Sequence, residues 1–236
     1  MEWFNEAFGD FSEISLAALI IVVIAAVIGV IGLVYYRRNK KEGMPDSKMR
    51  WTVRELTMAA LCIALAFLLS FIKLFGMPMG GSITPASMLP IMVFSYVYGW
   101  RKGLVVGLIY AVLQFVQEPI FLTPVQFLLD YILGFSVLGL AGVFQKSIIP
   151  GIALAGSLRF LCSFISGWVF FGMYAPEGMQ AWLYSLMYNG AILGVETAVC
   201  VGICLIPAMR KAIDKARRER RNGQKKFKEP QPNTAV

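Results

Sequence analysis

The sequence predicts an all-α integral membrane protein, and two observations carry this prediction. Of the 236 residues, 58% are hydrophobic and only 15% are charged, and the apolar residues form long runs. Runs of about 20 apolar residues cross a bilayer as helices or closed barrels, because these structures satisfy their own backbone hydrogen bonds. The sequence lacks the alternating pattern of barrel strands, so every span is predicted to be a helix.

The net charge of +8 gives the expected orientation of these spans. Basic clusters lie directly beside apolar runs, at RRNKK, at 50–54 and in the tail after Pro207. Such clusters mark the cytoplasmic side of a membrane protein. Nucleic-acid binding is disfavoured, because the basic runs lack interleaved aromatic residues. Contact between the tail and membrane lipid headgroups is an additional expectation.

The residue types argue against an enzyme. The chain has no histidine, which removes the most common general base and the usual nucleophilic triads. Its four cysteines lie inside apolar segments, which favours small core residues over metal ligands. A GxxxxGK[ST] phosphate loop is also missing. We therefore predict a non-enzymatic protein with no metal and no cofactor.

The chain divides into three predicted parts. Residues 1–54 contain a single span at 14–36 and a basic cytoplasmic linker. This span is not typical of a signal peptide, because no basic segment precedes it and its basic flank follows it. A membrane domain is expected at 55–209 and a basic cytoplasmic tail at 210–236.

Six further spans follow the first one. They are predicted at 56–74, 87–98, 103–116, 125–144, 148–171 and 181–209. Ala60 and Ala64 form a small-xxx-small pair, which internal packing and a partner surface explain equally well. Seven crossings put the N-terminus outside and the C-terminus in the cytoplasm, as expected for a multi-pass protein of the cell membrane.

Polar residues inside the later spans mark a candidate binding site. One helical face carries Arg159, Ser163, Ser166, Gly167, Phe170 and Tyr174. Asp130 and Glu196 are the most deeply placed acids, and a charge at such depth is usually paired or functional. Two acids and one base leave a negative surplus that suits a cationic ligand. A structural salt bridge between Arg159 and a carboxylate is the alternative.

Aromatic and amide groups near this face suit a flat heterocycle. The aromatic residues are Tyr131, Trp168, Phe171, Tyr174, Trp182, Tyr184 and Tyr188, which offer faces to stack an aromatic cation. Asn189 can donate and accept at once, the pattern that recognises a ring nitrogen beside an exocyclic amine. The Gly- and Pro-rich loop at 75–87 is either a mobile cover over the site or a connector.

Three sequence blocks, in this order, resemble one transporter family. They are MPMGGSITPASMLPI, PVQFLLDYILGF, and LRFLCSFISGWVFFGMYAPEG followed by WLYSLMYNG. These blocks resemble the thiamine-specific substrate-binding subunit (S component, ThiT or YuaJ type) of energy-coupling factor (ECF) transporters. The resemblance implies a six-helix membrane bundle, here with one extra N-terminal helix, that captures thiamine from outside. It also implies three partners, a transmembrane coupling protein and two ATPase subunits.

The resemblance also implies roles for single residues. Asp130, followed by the matching Tyr131, stands where the family has an acid that meets the cationic vitamin. Tyr184 and Asn189 match residues that hydrogen-bond the aminopyrimidine. Phe171 falls where relatives stack Trp or Phe on the ring.

Five more positions are matched in the same way. Gly167 matches a glycine that lines the pocket. Arg159 matches a basic position, with ligand contact and a structural or gating role both open. Ser163 stands where relatives carry histidine. Ala60 and Ala64 belong to the small-residue stripe that faces the coupling protein.

Together these features predict a thiamine-binding subunit of an ATP-driven bacterial uptake system. One alternative keeps the architecture but binds another heterocyclic vitamin or a thiamine precursor. A second is a secondary transporter coupled to protons or sodium. A third is a scaffold protein whose polar residues only hold helices together.

Overall fold

The computed structural model describes residues 51–77, 81–144 and 146–228 of the chain. The predicted span at 14–36 lies outside these residues. The elements are α1 (Val53–Phe71), β1 (Phe75–Gly76), β2 (Ser82–Ile83), α2 (Leu89–Tyr98), α3 (Trp100–Gln117), α4 (Pro124–Val143), α5 (Ile149–Phe170), α6 (Ala181–Leu205) and α7 (Pro207–Lys228). Among them, α1, α4, α5 and α6 are long and apolar enough to cross a membrane. The predicted all-α membrane class is confirmed.

A buried cluster of charges joins three helices at one end of the bundle. Thr52 caps α1, since its hydroxyl accepts from the Glu55 N–H at 3.3 Å while Glu55 accepts from the Thr52 N–H at 3.0 Å. Lys102, at the start of α3, donates to the same Glu55 carboxylate at 2.6 Å. Arg220 of α7 brings its Nε to 3.8 Å from the other oxygen and donates to the Val97 carbonyl at 2.7 Å. We call this region the charged end.

The opposite end carries a small antiparallel hairpin of β1 and β2. Phe75 pairs with Ile83 and Gly76 with Ser82. The Gly81 N–H donates to the Tyr188 hydroxyl at 3.0 Å, which fastens the hairpin to α6. We call this region the hairpin end.

Helix α4 is irregular in the middle. Pro124 occupies its first turn, and Thr123 caps it by accepting from the Gln126 N–H at 3.1 Å. The segment Leu128–Leu133 is π-helical, and Val137–Val143 is a 3₁₀ helix. Single π-helical turns often occur at functional sites, because the extra residue changes where neighbouring side chains point. Asp130 lies in this π-helical segment.

Helices α5 and α6 form an antiparallel pair that supplies one wall of the bundle. Contacts join Gly167 to Ser185 and Ser163 to Asn189, so sequence numbers rise along one helix as they fall along the other. The last span was predicted to continue to Met209, but α6 ends at Leu205. Ile206 takes extended backbone with ψ 122°, because the residue before a proline avoids the α conformation.

Helix α7 begins at Pro207 and turns back across the charged end. Ile213 is buried there, and the Arg217 guanidinium carbon lies 4.2 Å from the centroid of the Tyr96 ring on α2. Arg220, which donates to the Val97 carbonyl, lies about 20 Å along the α7 axis from Pro207. The basic segment after α6 therefore packs against the bundle.

Candidate ligand-binding site

A cavity of about 210 Å³ lies between α3, α4, α5 and α6, beneath the hairpin. Its lining includes all eight residues predicted to bind substrate. They are Asp130, Tyr131, Arg159, Ser163, Gly167, Phe171, Tyr184 and Asn189. These side chains come from three helices and the turn after α5, so only the folded bundle brings them together.

Asp130 is held by two neutral donors. Its Oδ2 accepts from Gln126 Nε2 at 2.7 Å and from Ser166 Oγ at 2.7 Å. Both donors are almost completely buried, with 1% of Gln126 and 0% of Ser166 exposed. Hydrogen bonds to a carboxylate stabilise its charged form. No described cationic side chain lies within ion-pair distance of this acid.

Arg159 lines the same cavity, yet it forms no ion pair with a described residue. Its Nε and NH1 are buried and have no hydrogen-bond partner there. The guanidinium carbon stands 3.7 Å from the centroid of the Phe135 ring. The structural salt bridge weighed from the sequence is therefore absent from this part of the chain.

Asn189 uses its amide nitrogen inside the protein. Its Nδ2 lies 3.2 Å from the Ser163 carbonyl oxygen, 3.1 Å from the Ser185 carbonyl oxygen and 3.2 Å from Ser185 Oγ. Its Oδ1 makes no hydrogen bond to a described residue. The sequence predicted an amide that donates and accepts at once, whereas the folded side chain offers the cavity an acceptor only.

The Tyr131 ring lines the cavity, and its hydroxyl forms hydrogen bonds with the backbone of a loop. The hydroxyl donates to the Glu118 carbonyl at 2.5 Å and accepts from the Ile120 N–H at 3.2 Å. Its ring meets Phe115 edge to face, with centroids 5.1 Å apart. Tyr131 thus fixes the segment that follows α3 at the hairpin end.

The aromatic residues near the mouth of the cavity form two pairs. Tyr184 lies beside Tyr188 with ring centroids 5.7 Å apart, and Phe171 beside Tyr174 at 6.2 Å. Since Gly81 also lines the cavity and is bonded to Tyr188, the hairpin lies over the site. Of the two interpretations of this loop, the cover fits its position better.

Glu196 lines the cavity but was not among the predicted site residues. It is 3% exposed, and its Oε1 accepts from the hydroxyls of Thr84 and Ser87, the latter at 2.9 Å. The sequence did contain a signal, because Glu196 follows Asn189 by seven residues and so shares its face of α6. Its partners lie more than 100 residues away in sequence, at separations of 112 and 109.

A family model described as Thiamine transporter protein (Thia_YuaJ) matches residues 56–215, well over half of the chain. The chain belongs to this family. ThiT of Bacillus subtilis (strain 168) is 32% identical over 167 residues, which cover 62% of this chain and 86% of that protein. ThiT of Lacticaseibacillus paracasei is 33% identical over 148 residues, covering 51% of this chain and 72% of its own.

The fold is shared with a member of known structure. ThiT from Listeria monocytogenes superposes with a TM-score of 0.61 at 27% identity, and the match covers 70% of this chain and 97% of that one. These relatives are named as transporters, so the predictions of a multi-pass membrane protein and of a non-enzymatic role are confirmed. The predicted span at 14–36 and the second half of α7 lie outside the family match.

The alanine pair of α1 does not pack inside the described bundle. Ala60 and Ala64 are exposed, whereas Ala59 and Ala66 on the same helix are buried, at 4% and 0% exposure. Of the two explanations weighed from the sequence, internal packing within residues 51–228 does not account for the exposed pair.

Proposed function

We propose that this protein is the substrate-binding membrane subunit of an ECF transporter, which captures extracellular thiamine for ATP-driven uptake. The observation that carries the proposal is Asp130, a partly buried carboxylate that lines the cavity, accepts from two neutral donors and has no ion pair with a described residue. The names of the relatives support thiamine as the ligand.

Charge explains why this cavity would favour a cation. Asp130 and Glu196 carry two negative charges when ionised, and Arg159 carries one positive charge. A ligand with one positive charge makes the buried set neutral, which is favourable where the dielectric constant is low. In our proposal the thiazolium ring of thiamine lies near Asp130 and supplies this charge.

The aminopyrimidine ring of thiamine occupies the aromatic part of the cavity in this proposal. Phe171 stacks on the ring, while the Tyr184 hydroxyl and Asn189 Oδ1 meet its polar edge. Neither polar group is used by another described residue. Gly167 keeps α5 close to α6, so that Asn189 holds its position.

Transport needs partners that exchange energy with this subunit. We assign the surface around Ala60 and Ala64 to the transmembrane coupling protein, since small exposed residues allow close approach of a second helix. Two ATPase subunits would act through that protein. The hairpin end then faces outside and the charged end faces the cytoplasm, in keeping with the basic helix α7.

Thiamine titration of the purified protein, followed by tryptophan fluorescence, tests the binding site. Asp130→Asn should raise the Kd at least about 30-fold, because losing one partner of a desolvated charge pair costs about 2 kcal/mol or more. Glu177→Gln, in an exposed loop, is the matched control and should bind like the wild type. Equal binding by wild type and Asp130→Asn would remove the proposed counter-charge.

Three further measurements separate the alternatives. Competition with the uncharged hydroxymethylpyrimidine tells thiamine from its precursor, since only thiamine has the thiazolium. Uptake driven by an ion gradient in vesicles without any ATPase would instead support a secondary transporter. Leucine at Ala60 and Ala64 should abolish co-purification with the coupling protein and leave thiamine binding intact.

A further inference from the structure

Only one of the two carboxylate oxygens of Glu196 accepts hydrogen bonds from described residues. Both of its hydrogen bonds, from Thr84 and Ser87, fall on Oε1. Its Oε2 accepts no hydrogen bond from a described residue. This oxygen is not among the fully buried atoms that lack a partner, and Glu196 lines the cavity, so Oε2 is accessible to a donor on the contents of the cavity.

Arg159, at the same level of the bundle, has hydrogen-bond donors that lack an acceptor among the described residues. These donors are its buried Nε and NH1. Gly156 precedes Arg159 by about one turn of α5 and packs against Thr197, which follows Glu196 on α6. Arg159 and Glu196 therefore lie at the same level of the helix pair. Both residues line the same cavity without forming an ion pair.

An aminopyrimidine has a complementary set of groups. Its exocyclic amine has two N–H donors, and its two ring nitrogens are acceptors. The free acceptors on residues that line the cavity include Asn189 Oδ1 and Glu196 Oε2, and the Tyr184 hydroxyl is a donor with no partner among the described residues. The amide nitrogen of Asn189 already donates to Ser163 and Ser185, so Asn189 cannot also donate to a ring nitrogen while it accepts from the amine.

We propose that Glu196 is a specificity-determining residue whose Oε2 accepts a hydrogen bond from the exocyclic amine of the ligand. Thr84 and Ser87 hold the carboxylate in place from the segment after the hairpin. Glu196 of α6 then joins the ligand amine to the segment that follows the hairpin. This inference rests on the proposed function. Under it, Glu196 makes the site bind a ligand with an amine more tightly than one with a carbonyl group at the same position.

The test compares thiamine with oxythiamine, in which a carbonyl oxygen and a ring N–H replace the amine and a ring nitrogen. A site built around a ligand donor rejects an analogue that lacks it, because the buried acceptor is left unpaired. Wild-type protein should therefore bind thiamine much more tightly than oxythiamine. Glu196→Gln adds an N–H donor that suits the carbonyl, so it should reduce the ratio of the two Kd values at least tenfold.

Controls make the outcome independent of how much protein folds. The Kd ratio is measured on one preparation, so an inactive fraction cancels. Asp130→Asn should weaken both ligands alike, because both carry the thiazolium, and Glu177→Gln should change neither. An unchanged ratio in Glu196→Gln would overturn the role of Glu196, whereas a wild type that binds no thiamine would overturn the proposed function.

Discussion

Gly167→Ala should weaken thiamine binding, because this glycine sets how closely α5 and α6 approach at the cavity wall. A Cβ on Gly167 would meet Ser185 Oγ and would stand 2.8 Å from Asn189 Nδ2 and 3.2 Å from Ser185 Cβ. Side-chain carbons do not approach nitrogen that closely, so a neighbour must move. Asn189 is held by three nearby acceptors on Ser163 and Ser185, so its movement also breaks hydrogen bonds.

The size of the effect follows from these contacts. Forcing an extra methyl group into a packed interior costs about 1–3 kcal/mol of folding stability with or without ligand, so this cost is expected in thermal unfolding. Displacing the Asn189 oxygen from the ligand costs about 1 kcal/mol of binding free energy, the value of one hydrogen bond. Since 1.4 kcal/mol corresponds to a factor of ten, the expected rise in Kd is about fivefold.

Gly190→Ala provides the matched control on the same helix pair. A Cβ at Gly190 would have Phe160 Cε2 at 3.8 Å as its nearest neighbour, which is ordinary contact. Both variants add one methyl group to a helix, so they differ in the clash alone. Thiamine titration and thermal unfolding of the three proteins measure the effect. If Gly167→Ala bound thiamine as tightly as Gly190→Ala, the role of the close approach would be refuted.

Two further predictions concern the two ends of the bundle. Gly81→Ala should speed thiamine release several-fold in stopped-flow experiments, because its Cβ would meet Tyr188 and push the hairpin away. Gly76→Ala is the control. It has open space around its Cβ and should release thiamine like the wild type. Lys102→Met should lower the free energy of unfolding by about 3 kcal/mol, since the buried Glu55 carboxylate loses its hydrogen-bonded cation and keeps only the Arg220 ion pair at 3.8 Å. A loss below about 0.5 kcal/mol would show that the buried pair is dispensable.

The sequence was sufficient to predict the parts of this protein that depend on local pattern. Long apolar runs predicted the helices, and a charge inside such a run singled out Asp130. Helical spacing put Arg159, Ser163 and Gly167 on one face, and all three line the cavity. Periodicity is sufficient here because each of these features lies within one helix.

Features that depend on two distant segments were not predictable in this way. The donor of Asn189 is used by Ser163 on another helix, and Glu196 is held by Thr84 and Ser87 from the other half of the bundle. No pattern in a single segment shows which hydrogen bonds remain for a ligand. The π-helical turn at Asp130 is also set by packing, because the local sequence equally suits an ordinary α-helix.

Asp130 is expected to stabilise the ligand at the expense of the empty protein. Without a ligand its charge is buried with only Gln126 and Ser166 as donors, and Glu196 adds a second acid to the same cavity. Asn keeps an oxygen that can accept from Gln126 and Ser166, so Asp130→Asn removes the buried charge without breaking these contacts. The empty variant should therefore unfold at the same or a higher temperature than the wild type, while its Kd for thiamine rises. A purely structural acid would give the opposite pair of results, lower stability with unchanged affinity, and measuring both on one preparation separates the two roles.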